Sequence, residues 1–86
     1  MMPLDWALLQ SFAAVGEHGS LSAAARATGT SQPTMSRHVS DLEARLGARL
    51  FERTSTGIEL TPAGARLMAH AREMSSAAER LSLTAA

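Results

Sequence analysis

Two short helical patterns separated by a turn of three residues constrain this sequence more than any other feature. The first, LSAAARAT, follows Ser20, and the second starts after Ser31 and ends at Gly47. The turn between them contains Gly29, and glycine tolerates the left-handed backbone conformation that a sharp turn needs. The alanines of the first pattern let another helix approach closely. Two helices joined in this way are typical of a helix-turn-helix.

The second of these helices, predicted over 31–46, has an apolar and a polar face. Ser31 is its N-cap, and Pro33 lies in its first turn, where a missing N–H costs nothing. The apolar face has spacings of four, three and four residues and consists of Met35, Val39, Leu42 and Leu46. A second face, centred roughly 140° away, is rich in hydrogen-bonding groups but nearly uncharged. Its members are Gln32, Pro33, Ser36, Arg37 and Ser40.

The sequence predicts a mostly α fold in which a small hairpin follows the helix-turn-helix. A first helix begins after Asp5 and ends near Gly19. Apolar pairs at 50–51 and 58–60 flank a Thr-Ser-Thr-Gly turn, a pattern typical of two short strands. We therefore predict a winged helix-turn-helix over residues 1–61, that is, three helices and a two-stranded wing. The helix-turn-helix would lie at about 21–40 and the wing at about 49–61.

A long last helix is predicted over 62–86, with Thr61 as its N-cap and Pro62 at its first position. Apolar residues recur along it every four, three, four, three and four residues from Leu67 to Ala85, a heptad seam on a rod of roughly 35 Å. The seam predicts a linker helix that forms a dimer. The predicted interface residues are Leu67, Ala71, Met74, Ala78 and Leu81.

The same seam has a second interpretation, in which it packs against the first helix of its own chain. Both can hold, with the N-terminal part of the seam inside the domain and the rest across the dimer. Met68 and Ala77 widen the seam, which suits a buried helix better than a thin coiled coil. Trp6 belongs either to this interface or to the core.

Charge and composition narrow the possible functions of these 86 residues, which suffice for one small domain. Net charge is zero, which argues mildly against binding nucleic acid. However, five of the eight arginines and only three acids lie between residues 26 and 53, so the middle of the chain is weakly basic. Without cysteine the chain has no disulfide or thiolate metal site, and the three histidines are widely spaced, so no metal is expected. No apolar run or signal peptide is present, so the expected compartment is the cytosol.

The polar face suits the reading of a DNA sequence. In a helix-turn-helix the second helix enters the major groove with its N-terminal residues towards the base edges. Gln32 can pair with a base edge, Ser36 can donate or accept, and Arg37 can contact guanine or phosphate. Pro33 can contact a thymine methyl group. The alternative is a merely solvated helix face.

The motifs of the second helix and of the segments that follow it resemble those of a known family. SQPTMSRHVSDLEARLGARLFERT, followed by LTPAG, is similar to the N-terminal domain of LysR-type transcriptional regulators, and the resemblance covers residues 4 to 80. It implies a bacterial regulator that binds double-stranded promoter DNA as a homodimer, with a tetramer expected for the full-length protein. It implies no cofactor in this chain. The small-molecule co-inducer is expected on a C-terminal domain outside these 86 residues, so the chain is expected to be a piece of a longer protein.

The resemblance also assigns residues to DNA contact. It places Arg53 at the base of the wing near the DNA backbone, and Thr56 stands where the family often has a basic residue that reaches into the minor groove. The predicted DNA-binding residues are Gln32, Pro33, Thr34, Ser36, Arg37, Arg53 and Thr56.

Other interpretations stay open for the remaining charged residues. Arg53 can instead pair with Glu52 or Glu59, and Arg45 and Arg49 are expected to be solvated or ion-paired. His38 is expected either to contact phosphate or to be solvated.

Two other classes of function compete with DNA binding. A pure protein-interaction module is the second hypothesis, suggested by zero net charge and by the seam. An enzyme is not expected, because no nucleophile with its base, phosphate loop or metal cluster is visible.

Overall fold

A computed structural model describes residues 5–85 of the chain. The elements follow the order α1 (Trp6–His18), α2 (Leu21–Thr28), α3 (Gln32–Leu46), β1 (Phe51–Thr54), β2 (Gly57–Leu60) and α4 (Pro62–Ala85). The mostly α, winged helix-turn-helix fold with a long last helix is therefore confirmed.

Local hydrogen bonds explain where the helices begin. The side chain of Asp5 accepts from the N–H of Ala7 at 2.9 Å, and Ser20 accepts from that of Ala23 at 3.0 Å. At the start of α4, the Thr61 hydroxyl accepts from the N–H of Gly64 at 3.0 Å. Each cap satisfies a donor that the first turn of a helix leaves free. The predicted N-caps are confirmed.

Gly29 makes the turn between α2 and α3. Its φ of 69° is left-handed, and its N–H donates to the carbonyl of Ala25. A residue with a Cβ is strained in this conformation. The turn therefore fixes how α3 leaves α2.

The first three helices, the wing and the first half of α4 enclose one apolar core. At its centre lie Phe12 of α1 and Leu42 of α3, both fully buried. The Phe12 ring meets the Phe51 ring with centroids 5.3 Å apart and planes tilted by 45°, a separation that is favourable for aromatic pairs. The contact attaches the first residue of the wing to the body of the domain.

The wing is an antiparallel pair in which Phe51 lies opposite Leu60 and Arg53 opposite Ile58. Its turn lies at Ser55 and Thr56, as predicted. Residues two apart share one face of a strand, so Arg53 lies on the same side of β1 as Phe51, but beyond the core, where it is exposed. β1 thus places a basic side chain on the side of the wing that turns towards α2 and α3.

Candidate nucleic-acid interface

The polar face that is predicted to read DNA, called the recognition face of the recognition helix α3 from here on, lies on the outside of that helix. Gln32, Pro33, Ser36, Arg37 and Ser40 are all exposed. The opposite face is buried against α1 and α2 and consists of Met35, Val39 and Leu42, whereas Leu46 is 37% exposed at the end of the helix. The sequence pattern thus identified the two faces correctly, except that Leu46 lies at the edge of the core.

A small hydrogen-bond network organises the first turn of α3. The Ser31 hydroxyl accepts from the N–H of Thr34 at 3.3 Å and donates to the Thr34 hydroxyl oxygen at 2.9 Å. The same oxygen accepts from Nη2 of Arg37 at 3.2 Å. Thr34 is half-buried. Its hydroxyl therefore orients the guanidinium of Arg37 as well as belonging to the helix cap.

Gln32 and Arg53 meet across a groove between α3 and the wing. The groove has a volume of about 210 Å³. Its walls are formed by Gly19, Ser20, Leu21, Ser22, Gln32, Arg53, Gly57 and Ile58. The groove is lined by the start of α2, the amide of Gln32 and the guanidinium of Arg53. Together these groups offer hydrogen-bond donors to an anionic group.

The structure adds residues to this surface that sequence reasoning missed. Ser20 and Ser22 at the start of α2 line the groove beside Arg53. The N-cap pattern at Ser20 was visible in the sequence, but only the tertiary fold places it beside the wing. A neighbouring groove of about 100 Å³ brings Arg49 next to Ser36 and Ser40.

Arg53 is exposed on β1, and its guanidinium has no carboxylate oxygen within 4.0 Å among residues 5–85. Its predicted alternative, an ion pair with Glu52 or Glu59, is therefore wrong. The guanidinium is available to an external anion.

Two other arginines form the ion pairs expected of them. Nε of Arg45 lies 3.2 Å from Oδ1 of Asp41, one helical turn earlier, and Nε of Arg49 lies 3.7 Å from Oε2 of Glu43. The Arg45 side chain is 39% and the Arg49 side chain 78% exposed, so solvent screens both pairs and they contribute little stability.

Thr56 lies at the tip of the wing. It is exposed, and its N–H donates to the hydroxyl oxygen of Thr54 at 3.3 Å. The bond stiffens the turn. Thr56 does not line the groove that Gln32 and Arg53 share, so the structure groups it separately from those two residues.

His38 is not a simply solvated side chain, which was one of the two environments predicted for it. It is half-buried, and its Nδ1 lies 2.6 Å from the hydroxyl oxygen of Ser11 on α1. The sequence gives no signal for this bond, because the residues are 27 positions apart. His38 is thus a packing residue between two helices. His18 and His70 are exposed.

The predicted dimer seam divides into two parts along α4. Leu67 packs against the chain's own core and Ala71 is 3% exposed. Further along, Met74 is 40% and Leu81 70% exposed, and Ala78 is half-buried. Ala71 thus has little surface left for a second chain.

Trp6 of α1 lies beside the exposed part of this seam. A groove of about 280 Å³ separates Trp6 and Gln10 of α1 from α4. On the α4 side it is lined by Ser75, Ala78, Glu79 and Ser82. Trp6 itself is 40% exposed, so it is not a core residue.

Residues 5–85 contain no group of three or more histidine, cysteine, aspartate or glutamate side chains arranged to hold a metal ion. No helix in the same range combines the length and the apolar character needed to cross a membrane.

Fold and surface together define a winged helix-turn-helix with an exposed hydrogen-bonding face on α3. A family model for a bacterial regulatory helix-turn-helix protein, lysR family, matches residues 6–65. The chain belongs to the LysR family of bacterial regulatory proteins.

Relatives and solved structures agree with this assignment. The transcriptional regulator TfdS of Cupriavidus pinatubonensis is 44% identical over 71 residues, which is 83% of this chain and 24% of TfdS. The structure of the CbnR DNA-binding domain with DNA is 39% identical, has a TM-score of 0.83 and covers 95% of this chain and 94% of that one. The BenM domain bound to catB site 1 DNA is 30% identical, with a TM-score of 0.88 and coverages of 95% and 91%.

The chain spans about a quarter of the length of the curated relatives it matches, 24% in the case of TfdS. Those relatives are transcriptional regulators by name.

Proposed function

We propose that this chain binds specific sequences in double-stranded promoter DNA, as the DNA-binding part of a LysR-type transcriptional regulator. The observation that carries the proposal is the exposed face of α3, where Gln32, Ser36 and Arg37 present hydrogen-bonding groups at the N-terminal end of the helix. Such groups at such a position read base edges in the major groove. The similar CbnR and BenM domains have both been solved in complex with DNA.

Attraction to the DNA backbone comes from the surroundings of this face. Arg53 lies beside the start of α2, and a helix start with a free guanidinium suits a phosphate. Arg37 adds a second cation, oriented by Thr34. Zero net charge therefore does not argue against DNA binding, because the cations that matter lie on the face that would meet DNA.

The proposal is tested by binding to selected promoter DNA with Gln32→Ala and Arg37→Ala. Each is expected to lose roughly 1–3 kcal/mol for a base contact, and affinity should fall steeply with salt. Arg45→Ala is the matched control, because it removes the same charge from the exposed side of α3 where Arg45 pairs with Asp41. Unchanged binding in both test variants would refute the assigned face.

We further propose that the protein acts as a homodimer, or a higher oligomer, through the second half of α4. Met74 and Leu81 are large apolar side chains that the single chain leaves exposed. A dimer would cover them and double every DNA contact, as the symmetry of two half-sites requires. Sedimentation of the chain at several concentrations measures this association.

A protein-interaction module is the second candidate, and the same exposed residues favour it. It predicts a stable dimer that does not bind DNA even at low salt. The first proposal predicts a dimer that does bind DNA at low salt. The salt series and the sedimentation experiment therefore separate the two.

A further inference from the structure

Glu43 of α3 makes a hydrogen bond that the proposed DNA contacts do not explain. Its Oε2 accepts from the backbone N–H of Leu50 at 2.7 Å, across seven positions of sequence. The carboxylate is only 20% exposed. Leu50 is fully buried and immediately precedes the first wing strand. The bond therefore ties the recognition helix to the start of the wing.

The same short segment is held from the other side by the start of α4. Thr61 donates its N–H to the carbonyl of Leu50 at 3.0 Å and its hydroxyl to the carbonyl of Arg49 at 2.6 Å. A side chain on Gly64 would run into the Leu50 carbonyl, so α4 approaches this backbone as closely as possible. Residues 49 and 50 are thus clamped between the recognition helix and the linker helix.

The ion pair of Glu43 with Arg49 does not account for this arrangement. Nε of Arg49 is 3.7 Å from Oε2, and the Arg49 side chain is 78% exposed, so solvent screens the pair. The bond to Leu50 is shorter, half-buried and charge-assisted. Its loss would leave a backbone donor without its protein acceptor.

The position of Glu43 makes its charge unfavourable for the proposed function. It lines the groove that also contains Ser36, Ser40 and Arg53. A carboxylate on that face repels phosphate. A purely electrostatic role therefore predicts tighter DNA binding when the charge is removed.

We propose that Glu43 is a positioning residue. Through the Leu50 N–H it sets the wing and the start of the linker helix relative to α3, so that Arg53 and the recognition face engage one DNA molecule together. The proposal rests on the proposed function and adds a residue that makes no DNA contact of its own.

Hydrogen exchange of the Leu50 amide, without DNA, tests the bond directly. In Glu43→Ala the exchange should speed up on the order of tenfold, the factor that corresponds to about 1.4 kcal/mol. Glu43→Gln keeps an acceptor oxygen and should largely retain the protection. Glu52→Ala is the control, because it removes a carboxylate from the same groove and should not alter Leu50. Unchanged exchange in Glu43→Ala would overturn the proposal.

DNA affinity supplies the second test. Glu43→Ala should weaken binding, whereas Glu43→Gln and Glu52→Ala should equal or exceed the wild type because they remove only a repulsive charge. If Glu43→Ala bound DNA as tightly as Glu43→Gln and Glu52→Ala, the positioning role would be overturned and only a charge effect would remain.

A double-mutant cycle separates positioning from a general loss of stability. If Glu43 acts through the wing, Arg53→Ala should cost less in the Glu43→Ala background, whereas Gln32→Ala should cost the same in both backgrounds. If the losses from Arg53→Ala and from Gln32→Ala were both the same with and without Glu43→Ala, the positioning role of Glu43 would be overturned. A wild type that binds no promoter DNA would refute the proposed function and, with it, the DNA role of Glu43, while the exchange experiment still decides whether the Leu50 bond exists.

Discussion

The hydroxyl oxygen of Ser11 on α1 lies 2.6 Å from Nδ1 of His38 on α3, and this bond joins the first helix to the recognition helix. Ser11 is 5% exposed, so its hydroxyl has little access to water. The tautomer of His38 decides which of the two groups donates. The bond fixes the angle at which α3 rests on α1, while the neighbouring Arg37 stays on the outer face.

Ser11→Ala should therefore lower the free energy of unfolding by about 0.5–1.5 kcal/mol, because His38 loses its partner in a half-buried site. Urea unfolding of the variant measures the loss. Ser76→Ala, at an exposed position of α4, is the control and should change little. Equal stability of the two variants would show that the Ser11 bond contributes nothing.

Gly64→Ala should be the more damaging of two glycine substitutions inside helices. A Cβ at position 64 would collide with the backbone carbonyl of Leu50, which cannot rotate away. We expect a loss of about 1–3 kcal/mol or more. At Gly16 a Cβ would lie 3.0 Å from Sδ of Met68, the far end of a flexible side chain.

Gly16→Ala is thus the matched control, since alanine also gains up to about 1 kcal/mol of helix propensity. Thermal unfolding of both variants compares them. A Gly64→Ala variant as stable as Gly16→Ala would mean that α4 does not pack so closely on the loop.

Leu81→Asp should weaken dimerisation, and DNA binding with it, because it introduces a charge into the proposed seam. Leu83→Asp offers a control on the same helix, since Leu83 is 78% exposed but lies off the heptad spacing. Sedimentation equilibrium should show a dimer for Leu83→Asp and a shift to monomer for Leu81→Asp. Dimers of equal strength would place the interface elsewhere.

Thr56→Arg should strengthen DNA binding at low salt. The tip of the wing is exposed, and a cation there would reach a phosphate or a narrow minor groove. One further phosphate contact should steepen the dependence of log affinity on log salt by about 0.9. Ser76→Arg adds the same charge on α4. If it produced the same change, the wing would have no special role.

Much of the fold could be predicted because its signals are local. The N-caps at Asp5, Ser20, Ser31 and Thr61 act over two or three residues, so their residue types are enough to place helix starts. The polar face of α3 likewise follows from helical periodicity alone.

The contacts within the candidate site were harder to predict. Thr34 was expected to touch DNA, and the structure shows that its hydroxyl also orients Arg37. The sequence predicts that Arg53 lies on the wing, but its approach to Gln32 depends on how the wing folds back on the body of the domain. That placement depends on the Phe12–Phe51 contact, which joins residues far apart in the chain.

The sequence by itself determined the order of the elements, the helix boundaries and the exposed face of α3, because periodicity and capping operate within a few residues. Only the tertiary structure decided that His38 turns inward to Ser11, that Glu43 holds Leu50, and that the helical seam is half core and half surface. These outcomes depend on which helix or strand packs beside another. A side chain chooses its partner from whatever surface the fold places against it, and spacing along the chain does not encode that choice.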